Sequence, residues 1–344
     1  MPGPADPLRS RLEAWIGQPL SDSGPSIAPD PVNVPMIRHW VDALDDRNPI
    51  YLDASAAAGT RWGVTVAPPA MLQTWTMARP RIEGIAERGG AAMELSTDSA
   101  LGILAAEGYT ATVATNSELE FVRYLHVGDR LSSSASLEAI SDRKVTSLGV
   151  GYFVTWVTDY TDDRGEVVGR QRFRVFRFTT DVSDPAPERT RPAGPRRPAS
   201  PSKPDDDAPT GEQLPAFVLD VTATVIVAGA IASRDFMPAH HDRDYAQGQG
   251  APDIFMNILT TTGYIARYVT DWAGSAAQVR RIAIRLGAPA VPGSPLHFTG
   301  RAARKEVDGA DERIEVAVRA VNGLGDHAVG SVDVMLPLSD ARLG

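Results

Sequence analysis

The sequence predicts an α+β protein in which two copies of one module each place an antiparallel sheet against a central helix. Three observations support this fold class: a six-residue frame that occurs once in each half, strand-like runs that follow each frame, and a proline-rich stretch between the halves. A chain of 344 residues also exceeds the usual size of a single core. Two domains of roughly 130 to 180 residues each are therefore the default expectation.

A change of composition separates the two copies. Between Thr180 and Pro215 the chain is rich in proline and charged residues and contains almost nothing that could fill a core. This composition is typical of an extended, solvated tether, which explains the charge runs better than a binding motif does. We therefore predict an N-terminal copy at 8–180, a disordered linker at 181–214 and a C-terminal copy at 215–340.

The N-terminal copy carries its sheet in four strand-like runs, but its central helix is interrupted. Pro68, Pro80 and the pair Gly89-Gly90 precede the apolar segment at 100–106, and such residues break a helix. A shortened helix would leave room against the sheet, so this copy is expected to accommodate the bulky end of a substrate. The four runs are 117–123, 130–140, 145–160 and 167–178.

The C-terminal copy opens with a β-branched run at 217–227, which predicts a strand. A long helix is predicted at 253–272, where apolar residues recur at spacings of three and four and indicate a helix nearly enclosed by protein. One long helix wrapped by an antiparallel sheet is the hotdog arrangement, so the prediction is a double hotdog. The strand-like runs of this sheet are 279–286, 296–306, 313–321 and 328–336.

The segment Asp235-Phe236-Met237-Pro238-Ala239-His240, just ahead of the long helix, carries the clearest chemical signal. It sets an acid and an imidazole five positions apart, and the proline between them restricts the turn. A carboxylate and an imidazole flanking one water could exchange protons in the hydration of a double bond conjugated to a carbonyl, or in the reverse dehydration. The structural alternative is that Asp235 caps a turn and His240 is a hydrogen-bonded edge residue.

The first half repeats this frame as Asp46-Arg47-Asn48-Pro49-Ile50-Tyr51, with tyrosine where the histidine would be needed. The simplest interpretation is a duplicated module in which only the second copy keeps the acid/base pair. Tyr51 is then either vestigial or packed beside the substrate.

The developing enolate oxygen of such a reaction needs a donor, usually a backbone N–H near the start of a buried helix. Met256 and Asn257 lie in this zone and are predicted to bind the oxyanion, although a buried amide satisfied by its neighbours is an equal alternative for Asn257. No metal site is predicted at His240, His241 and Asp242, because adjacent side chains diverge and no further ligand cluster is visible. The histidines predicted to be structural or surface-exposed are His39, His126, His297 and His327.

Composition and charge exclude several classes of function. The balance of 34 basic against 43 acidic residues argues against nucleic-acid binding. The absence of cysteine excludes disulfides and thiolate chemistry and fits a reducing compartment. The polar, prolyl start lacks the apolar core of a signal peptide, and no run approaches the roughly 18 apolar residues that span a bilayer. We therefore expect a cytoplasmic protein without a membrane partner.

The second turn resembles the signature Asp-x-Asn-Pro-x-His of the MaoC-like, or R-specific, enoyl-CoA hydratases and dehydratases. It matches at Asp235, Pro238 and His240 and departs at Met237, where asparagine is usual. The first turn keeps the acid, asparagine and proline but has Tyr51 in place of histidine, as the noncatalytic halves of double-hotdog members do. Further segments resemble the dehydratase N-terminal domain or the catalytic subunit of bacterial steroid side-chain dehydratases: 66–72, 113–116, 126–129, 234–236, 240–242 and 253–260.

The resemblance implies a hydro-lyase that reversibly hydrates 2-enoyl-CoA to 3-hydroxyacyl-CoA, with a bulky acyl group such as a steroid side chain. Asp235 and His240 would bind and activate the water and exchange the α-proton. A backbone amide near Asn257 would polarise the thioester carbonyl. No cofactor is implied, because coenzyme A is part of the acyl-CoA thioester substrate.

The nucleotide of coenzyme A would need basic or polar groups at the seam between the copies. Arg280, Arg281 and Arg285 are candidates, although a solvated strand face explains them equally well.

Two other functions fit the same fold. One is a hotdog thioesterase that uses an acidic residue on the helix, and the other is a noncatalytic acyl-CoA-binding or partner-stabilising subunit. Whatever the function, a homodimer of two-module chains is expected, because exposed sheet edges and faces invite pairing.

Overall fold

The computed structural model describes residues 6–20, 24–92, 96–179 and 211–338. The predicted linker at 181–214 lies outside these residues except at its end, where Glu212–Gln213 forms a short strand. The described strands are β1 (Ser26–Ile27), β2 (Ala111–Phe121), β3 (Leu131–Ile140), β4 (Lys144–Val145), β5 (Val150–Asp162), β6 (Val167–Thr179), β7 (Glu212–Gln213), β8 (Phe217–Leu219), β9 (Gln278–Leu286), β10 (Leu296–Asp308), β11 (Asp311–Asn322) and β12 (Gly325–Pro337). The described α-helices are α1 (Pro7–Glu13), α2 (Val34–Leu44), α3 (Pro49–Leu52), α4 (Ala54–Ala58), α5 (Ala100–Ala106), α6 (Ala223–Ala232), α7 (Arg243–Gly248) and α8 (Ile258–Ala273). In this part of the chain no helix is both long and apolar enough to cross a membrane.

The strands form one 12-stranded antiparallel sheet that runs through both copies. Its order is β1-β3-β5-β6-β2-β9-β12-β11-β10-β7, with β4 paired to β5 and β8 paired to β10. Strands β1 to β6 precede the predicted linker and β7 to β12 follow or end it, so the two half-sheets join where β2 meets β9. That seam pairs Asn116 with Arg285 at one end and Glu120 with Arg281 at the other.

Helix α8 is the central element of the C-terminal half and is buried along most of its length. Tyr268 and Val269 on α8 lie in the core, where Tyr268 packs against Phe298 of β10. The corresponding region of the N-terminal half is broken into 3-10 turns at Pro69–Met71 and Gln73–Thr76 and the short helix α5. The predicted α+β class, with one long and one broken central helix, is therefore confirmed.

Two predictions at the start of the C-terminal half are wrong. The run 217–227 is divided between strand β8 and helix α6, and the Thr222 hydroxyl caps α6 by accepting from the Val225 N–H. Helix α6 is apolar except for Thr224 and packs against α2 and α8, so burial of one face overrides the strand preference of its β-branched residues. The long helix begins at Ile258 rather than at 253, because Asn257 caps it.

Strand boundaries in the N-terminal half also differ from the prediction. The run 145–160 is interrupted by a turn in which the Thr146 N–H donates to the Gly149 carbonyl at 2.8 Å, and this turn separates β4 from β5. Strand β2 begins at Ala111 rather than at 117, because pairing with β6 extends to Phe178.

Gly263 allows α8 to approach α2 closely. A Cβ atom at this position would lie 2.3 Å from Leu44 Cδ2 and 2.9 Å from Trp40 Cζ2. We expect Gly263→Ala to lower the free energy of unfolding by about 1–3 kcal/mol, since an added methyl overpacks this contact. Urea denaturation checks this, with Gly59→Ala as control because its Cβ would meet Ala56 O at an ordinary 3.6 Å. Equal denaturation midpoints for the two variants would contradict the expectation.

Candidate active site

Asp235 is held by a tight backbone turn directly after α6. Arg234 adopts the left-handed conformation, with φ of 60°, and the Asp235 N–H donates to the Ala230 carbonyl at 2.9 Å. The Asp235 carboxylate then accepts the Met237 N–H at Oδ1, at 3.2 Å. The 3-10 turn Pro238–His240 follows at once, so the acid and the imidazole lie on one short, rigid segment.

His240 is oriented by a backbone carbonyl. Its Nδ1 lies 2.7 Å from the Phe255 carbonyl oxygen, which can only accept, so Nδ1 carries a proton and donates it. The Phe255 ring packs edge-on against the imidazole with centroids 5.1 Å apart. Nε2 therefore faces the acid, 3.4 Å from Asp235 Oδ2. The side chains are 5 % and 20 % exposed for His240 and Asp235, so the pair is nearly enclosed.

Asn257 connects this pair to the start of α8. Its Oδ1 accepts the Thr260 N–H at 2.8 Å and so caps the helix. Its Nδ2 donates to Asp235 Oδ2 at 3.0 Å and to the Ser233 hydroxyl at 2.9 Å. Both amide hydrogens are thus engaged, which matches the alternative of a buried amide satisfied by its neighbours. The side chain positions Asp235.

Of the two positions predicted to bind the oxyanion, Met256 needs correction. The Met256 N–H donates to the Ala290 carbonyl at 2.9 Å and is not available to a ligand. The N–H groups of Asn257, Ile258 and Leu259 lie at the start of α8, and no described residue accepts from them. All three residues line the cavity, so the available donors include the predicted Asn257 and the two residues after it.

The pair is electrostatically coupled. Burial raises the pKa of the Asp235 carboxyl. His240, the Asn257 amide and the Met237 N–H together lower it by more, so the pKa lies below its ordinary value. Burial lowers the pKa of His240, but the Asp235 carboxylate and the Phe255 carbonyl outweigh burial and raise it above its ordinary value. Below this raised pKa the pair is a carboxylate beside an imidazolium.

A cavity of about 1030 Å³ opens beside the pair and extends into the N-terminal half. Asp235 and His240 line it together with Ala105 of α5 and Phe173 of β6, so both halves contribute walls. The room that the broken helix was predicted to leave is present. Gly90 of the N-terminal half packs against the turn: a Cβ at this position, whose φ is 85°, would lie 2.6 Å from Met237 Cγ.

The first copy repeats the turn without the reactive pair. Asp45 is left-handed, with φ of 48°, the Asp46 N–H donates to the Val41 carbonyl at 2.8 Å, and Asp46 Oδ1 accepts the Asn48 N–H at 3.0 Å. Tyr51 occupies the place of the histidine and is 2 % exposed. Neither Asp46 nor Tyr51 lines the cavity.

The neighbouring polar residues have structural partners. Asp242 caps α7 by accepting the Tyr245 N–H at 3.0 Å, and exposed His241 lies 3.3 Å from the Phe236 carbonyl. Among the described residues, no three His, Asp or Glu side chains cluster so as to hold a metal ion. His327 is buried on the cavity wall, between the Thr261 hydroxyl and the Ala288 carbonyl, whereas the other three isolated histidines are exposed: His39, His126 and His297.

The three predicted nucleotide-binding arginines do not line this cavity. Arg280 donates to the Val122 carbonyl at 2.9 Å. Arg281 is paired with Glu118 across the seam, and Arg285 lies on the same outer face of the sheet, where it lines a separate groove. Their location matches the alternative of a solvated strand face.

Sequence reasoning missed Arg177 on the cavity wall. Phe173, Val175 and Arg177 alternate along β6, and all three line the cavity. The available signal was that this arginine shares the alternating register of Phe173 and Val175, whereas the other arginines of β6 fall in the opposite register.

An antiparallel sheet around a long central helix, duplicated in one chain, defines the double-hotdog fold, and here an Asp/His pair lies just before the intact helix. A family model described as "FAS1-like, dehydratase domain region" matches residues 14–171. A solved MaoC-like dehydratase superposes with a TM-score of 0.67 at 24% identity, over 95% of this chain and 99% of that one. A Mycobacterium tuberculosis protein described as a double hotdog superposes with a TM-score of 0.58 at 13% identity, over 94% and 97% of the two chains. The predicted double hotdog is confirmed.

The chain belongs to the MaoC-like enoyl-CoA hydratase and dehydratase family. It is 44% identical over 126 residues to the beta subunit of 3-oxo-4,17-pregnadiene-20-carboxyl-CoA hydratase from Mycobacterium tuberculosis, over 37% of this chain and 95% of that subunit. It is 46% identical over 187 residues to a probable enoyl-CoA hydratase alpha subunit from Thermomonospora curvata, over 53% of this chain and 56% of that protein. The chain thus spans about half the length of this alpha subunit and nearly all of the beta subunit.

Replacing Asp235 by asparagine is expected to lower the pKa of His240, because burial then acts without an opposing carboxylate. An NMR titration of the imidazole checks this prediction. Asp253→Asn is the control, because the Asp253 carboxylate pairs with Arg243 Nε, at 2.8 Å, and not with His240. The ion pair should stabilise the fold below the unfolded-state histidine pKa of about 6.5, and this contribution is lost as pH rises through the raised folded-state pKa. An unchanged His240 titration in Asp235→Asn would refute the coupling.

Proposed function

We propose that the protein catalyses the reversible addition of water to the double bond of a 2-enoyl-CoA, giving a 3-hydroxyacyl-CoA. The observation that carries this proposal is the 3.4 Å approach of Asp235 Oδ2 and His240 Nε2 at the wall of a large cavity. Two groups at that separation can both reach one water molecule, because each hydrogen bond to it needs about 2.6–3.2 Å. The hydratase names of the curated relatives support the same reaction.

The proposed proton transfers follow from the ionisation of the pair. As the water oxygen adds to the β-carbon, the Asp235 carboxylate takes a proton from the water and the His240 imidazolium gives a proton to the α-carbon. The thioester oxygen gains charge during this step and would lie at the free N–H groups of Ile258 and Leu259. Dehydration runs through the same transfers in reverse. The hydration rate should therefore fall as pH rises through the raised His240 pKa and as pH falls through the lowered Asp235 pKa.

Asp235→Asn and His240→Gln are each expected to reduce kcat/KM for crotonyl-CoA hydration by about 10²–10⁴-fold, because each removes one proton-transfer group. Loss of the enoyl thioester absorbance measures the rate, and circular dichroism checks that each variant is folded. Tyr51→Phe is the matched control: it alters the equivalent position of the other copy and should retain activity. Full activity in either turn variant would exclude the proposed roles.

The same assay separates hydration from the alternatives. A thioesterase would release free thiol from the acyl-CoA, which a thiol-reactive dye detects. A noncatalytic acyl-CoA-binding subunit would bind without turnover until a second hotdog chain is added.

We propose that the acyl group is bulky, such as a steroid side chain with its rings. The cavity volume of about 1030 Å³ and the contribution of the N-terminal half to its walls support this proposal. The pregnadiene-carboxyl-CoA substrate in the name of the Mycobacterium tuberculosis relative supports it as well. In this division, 215–340 carries the chemistry and 8–180 accommodates the acyl group.

Ala105→Phe should test that division of roles. Ala105 lies on α5 and lines the cavity in the N-terminal half, so a phenyl ring there would fill space that only a large acyl group needs. We expect kcat/KM to fall about tenfold or more for a polycyclic enoyl-CoA and to stay unchanged for crotonyl-CoA. Ala54→Phe on exposed α4 is the control. Equal losses on both substrates would contradict a separate acyl region.

Two curated relatives are named as alpha and beta subunits, whereas this chain joins two hotdog halves through β2 and β9. We propose that two such chains form a homodimer in the cytoplasm. Light scattering coupled to gel filtration measures the mass, and a monomer would refute the dimer.

A further inference from the structure

A buried arginine stands in the cavity wall with unused hydrogen-bond donors. Arg177 on β6 is 8 % exposed and lies between Thr112 of β2 and Tyr152 of β5 in the sheet. Its Nη1 donates to the Thr112 hydroxyl at 2.5 Å, its Nε is fully buried without an acceptor in the described part of the chain, and no described residue accepts from its Nη2, which leaves this nitrogen for a ligand. None of the described carboxylates pairs with it. Because an unpaired buried cation destabilises a protein, a ligand that accepts from Arg177 would offset a cost already present.

The other arginine on the cavity wall lacks this freedom. Arg88 donates to the backbone carbonyls of Arg81, Glu83 and Ala91 and so holds its own loop. Burial lowers the pKa of Arg177 to about 10, so its guanidinium still carries a charge at neutral pH. Arg177 therefore presents charged donors to whatever occupies the cavity.

Arg177 lies across the cavity from the reactive turn. Residues 287–289 follow β9 and line the cavity, and the next residue, Ala290, accepts the N–H of Met256, the neighbour of the Phe255 that orients His240. Strand β2 lies between β9 and β6 in the sheet. Arg177 on β6 and the segment after β9 are therefore separated by two strand spacings of the sheet, about 10 Å. Between them the cavity is lined by the apolar side chains of Val113, Ala114 and Val175. An apolar passage suits an acyl group better than a nucleotide, whose phosphates prefer water.

We propose that Arg177 recognises an oxygen acceptor, a ketone or a carboxylate, at the end of the acyl group remote from the thioester. This proposal rests on the proposed hydratase function, since it places the double bond at Asp235 and His240. A guanidinium fork binds such oxygens directionally, so a substrate lacking the oxygen leaves the buried donors unpaired and is disfavoured.

The test compares acyl chains that differ only at the far end: 2-decenoyl-CoA, the same chain ending in a methyl ketone, and 2-decenedioyl-CoA, which ends in a carboxylate. The wild-type protein should prefer one or both oxygenated chains by about 10- to 100-fold in kcat/KM. Arg177→Met, which keeps the length of the side chain and removes its donors, should abolish that preference. Crotonyl-CoA does not reach Arg177 and should be hydrated equally by both proteins.

Three results would overturn the proposal. The first is a wild-type protein without preference for either oxygenated chain, and the second is an Arg177→Met protein that keeps the preference. The third is an equal rise in KM for every substrate including crotonyl-CoA, which would assign Arg177 to the coenzyme A moiety. A response to the ketone, to the carboxylate or to both supports the proposal and identifies which oxygen is bound.

Binding measurements keep this test independent of turnover. Isothermal titration with the saturated counterparts of all three chains, which have no double bond, should show the same preference in the wild-type protein. If crotonyl-CoA is not hydrated, the proposed reaction fails while the binding comparison still decides the role of Arg177. Thr112→Val leaves the arginine in place and removes the hydroxyl that directs it, so it should weaken the preference even if Arg177→Met does not fold. An unchanged preference in Thr112→Val with an unfolded Arg177→Met would also count against the proposal.

Discussion

The hydrogen bond from His240 Nδ1 to the Phe255 carbonyl is the interaction on which the site depends. It fixes the proton on Nδ1 and turns Nε2 toward Asp235. The carbonyl is available because the chain is not yet helical at Phe255: α8 begins at Ile258. If the helix began at 253, as its apolar periodicity suggests, the Phe255 carbonyl would accept from the Leu259 N–H. The late start of α8 thus frees both the acceptor that orients the histidine and the amide available to the substrate.

The first copy shows which features of the turn belong to folding and which to chemistry. Asp45 and Arg234 are both left-handed, and Asp46 and Asp235 each accept the N–H two residues ahead. The frame therefore folds in the same way with or without the histidine. In the first copy burial raises the pKa of Asp46, and Tyr51 offers no base beside it. The repeated turn reflects duplication, and the histidine alone adds the reactive pair.

Most of the fold could be predicted from the sequence because its strands alternate and α8 has a wide apolar face. The predictions failed where tertiary contacts decide: α6 has the composition of a strand but packs one face against α2 and α8. The acid/base turn could be predicted because its spacing is local. The roles of Asn257 and Arg177 could not, since they depend on partners distant in sequence, Ser233 and Asp235 for the amide and Thr112 for the guanidinium.

The contact between Met237 and Gly90 links the departure from the family motif to a distant loop. The side chain that replaces the usual asparagine lies where any Cβ at position 90 would collide with it, and Gly90 is also left-handed. The residue types allowed at positions 90 and 237 therefore depend on each other as related sequences diverge. Homologues that keep a long apolar residue at 237 should retain glycine at 90, whereas those with a short polar residue at 237 are free of this steric restriction. Covariation between positions 90 and 237 would then show that the packing of Gly90 against the turn arose together with the change from asparagine to methionine.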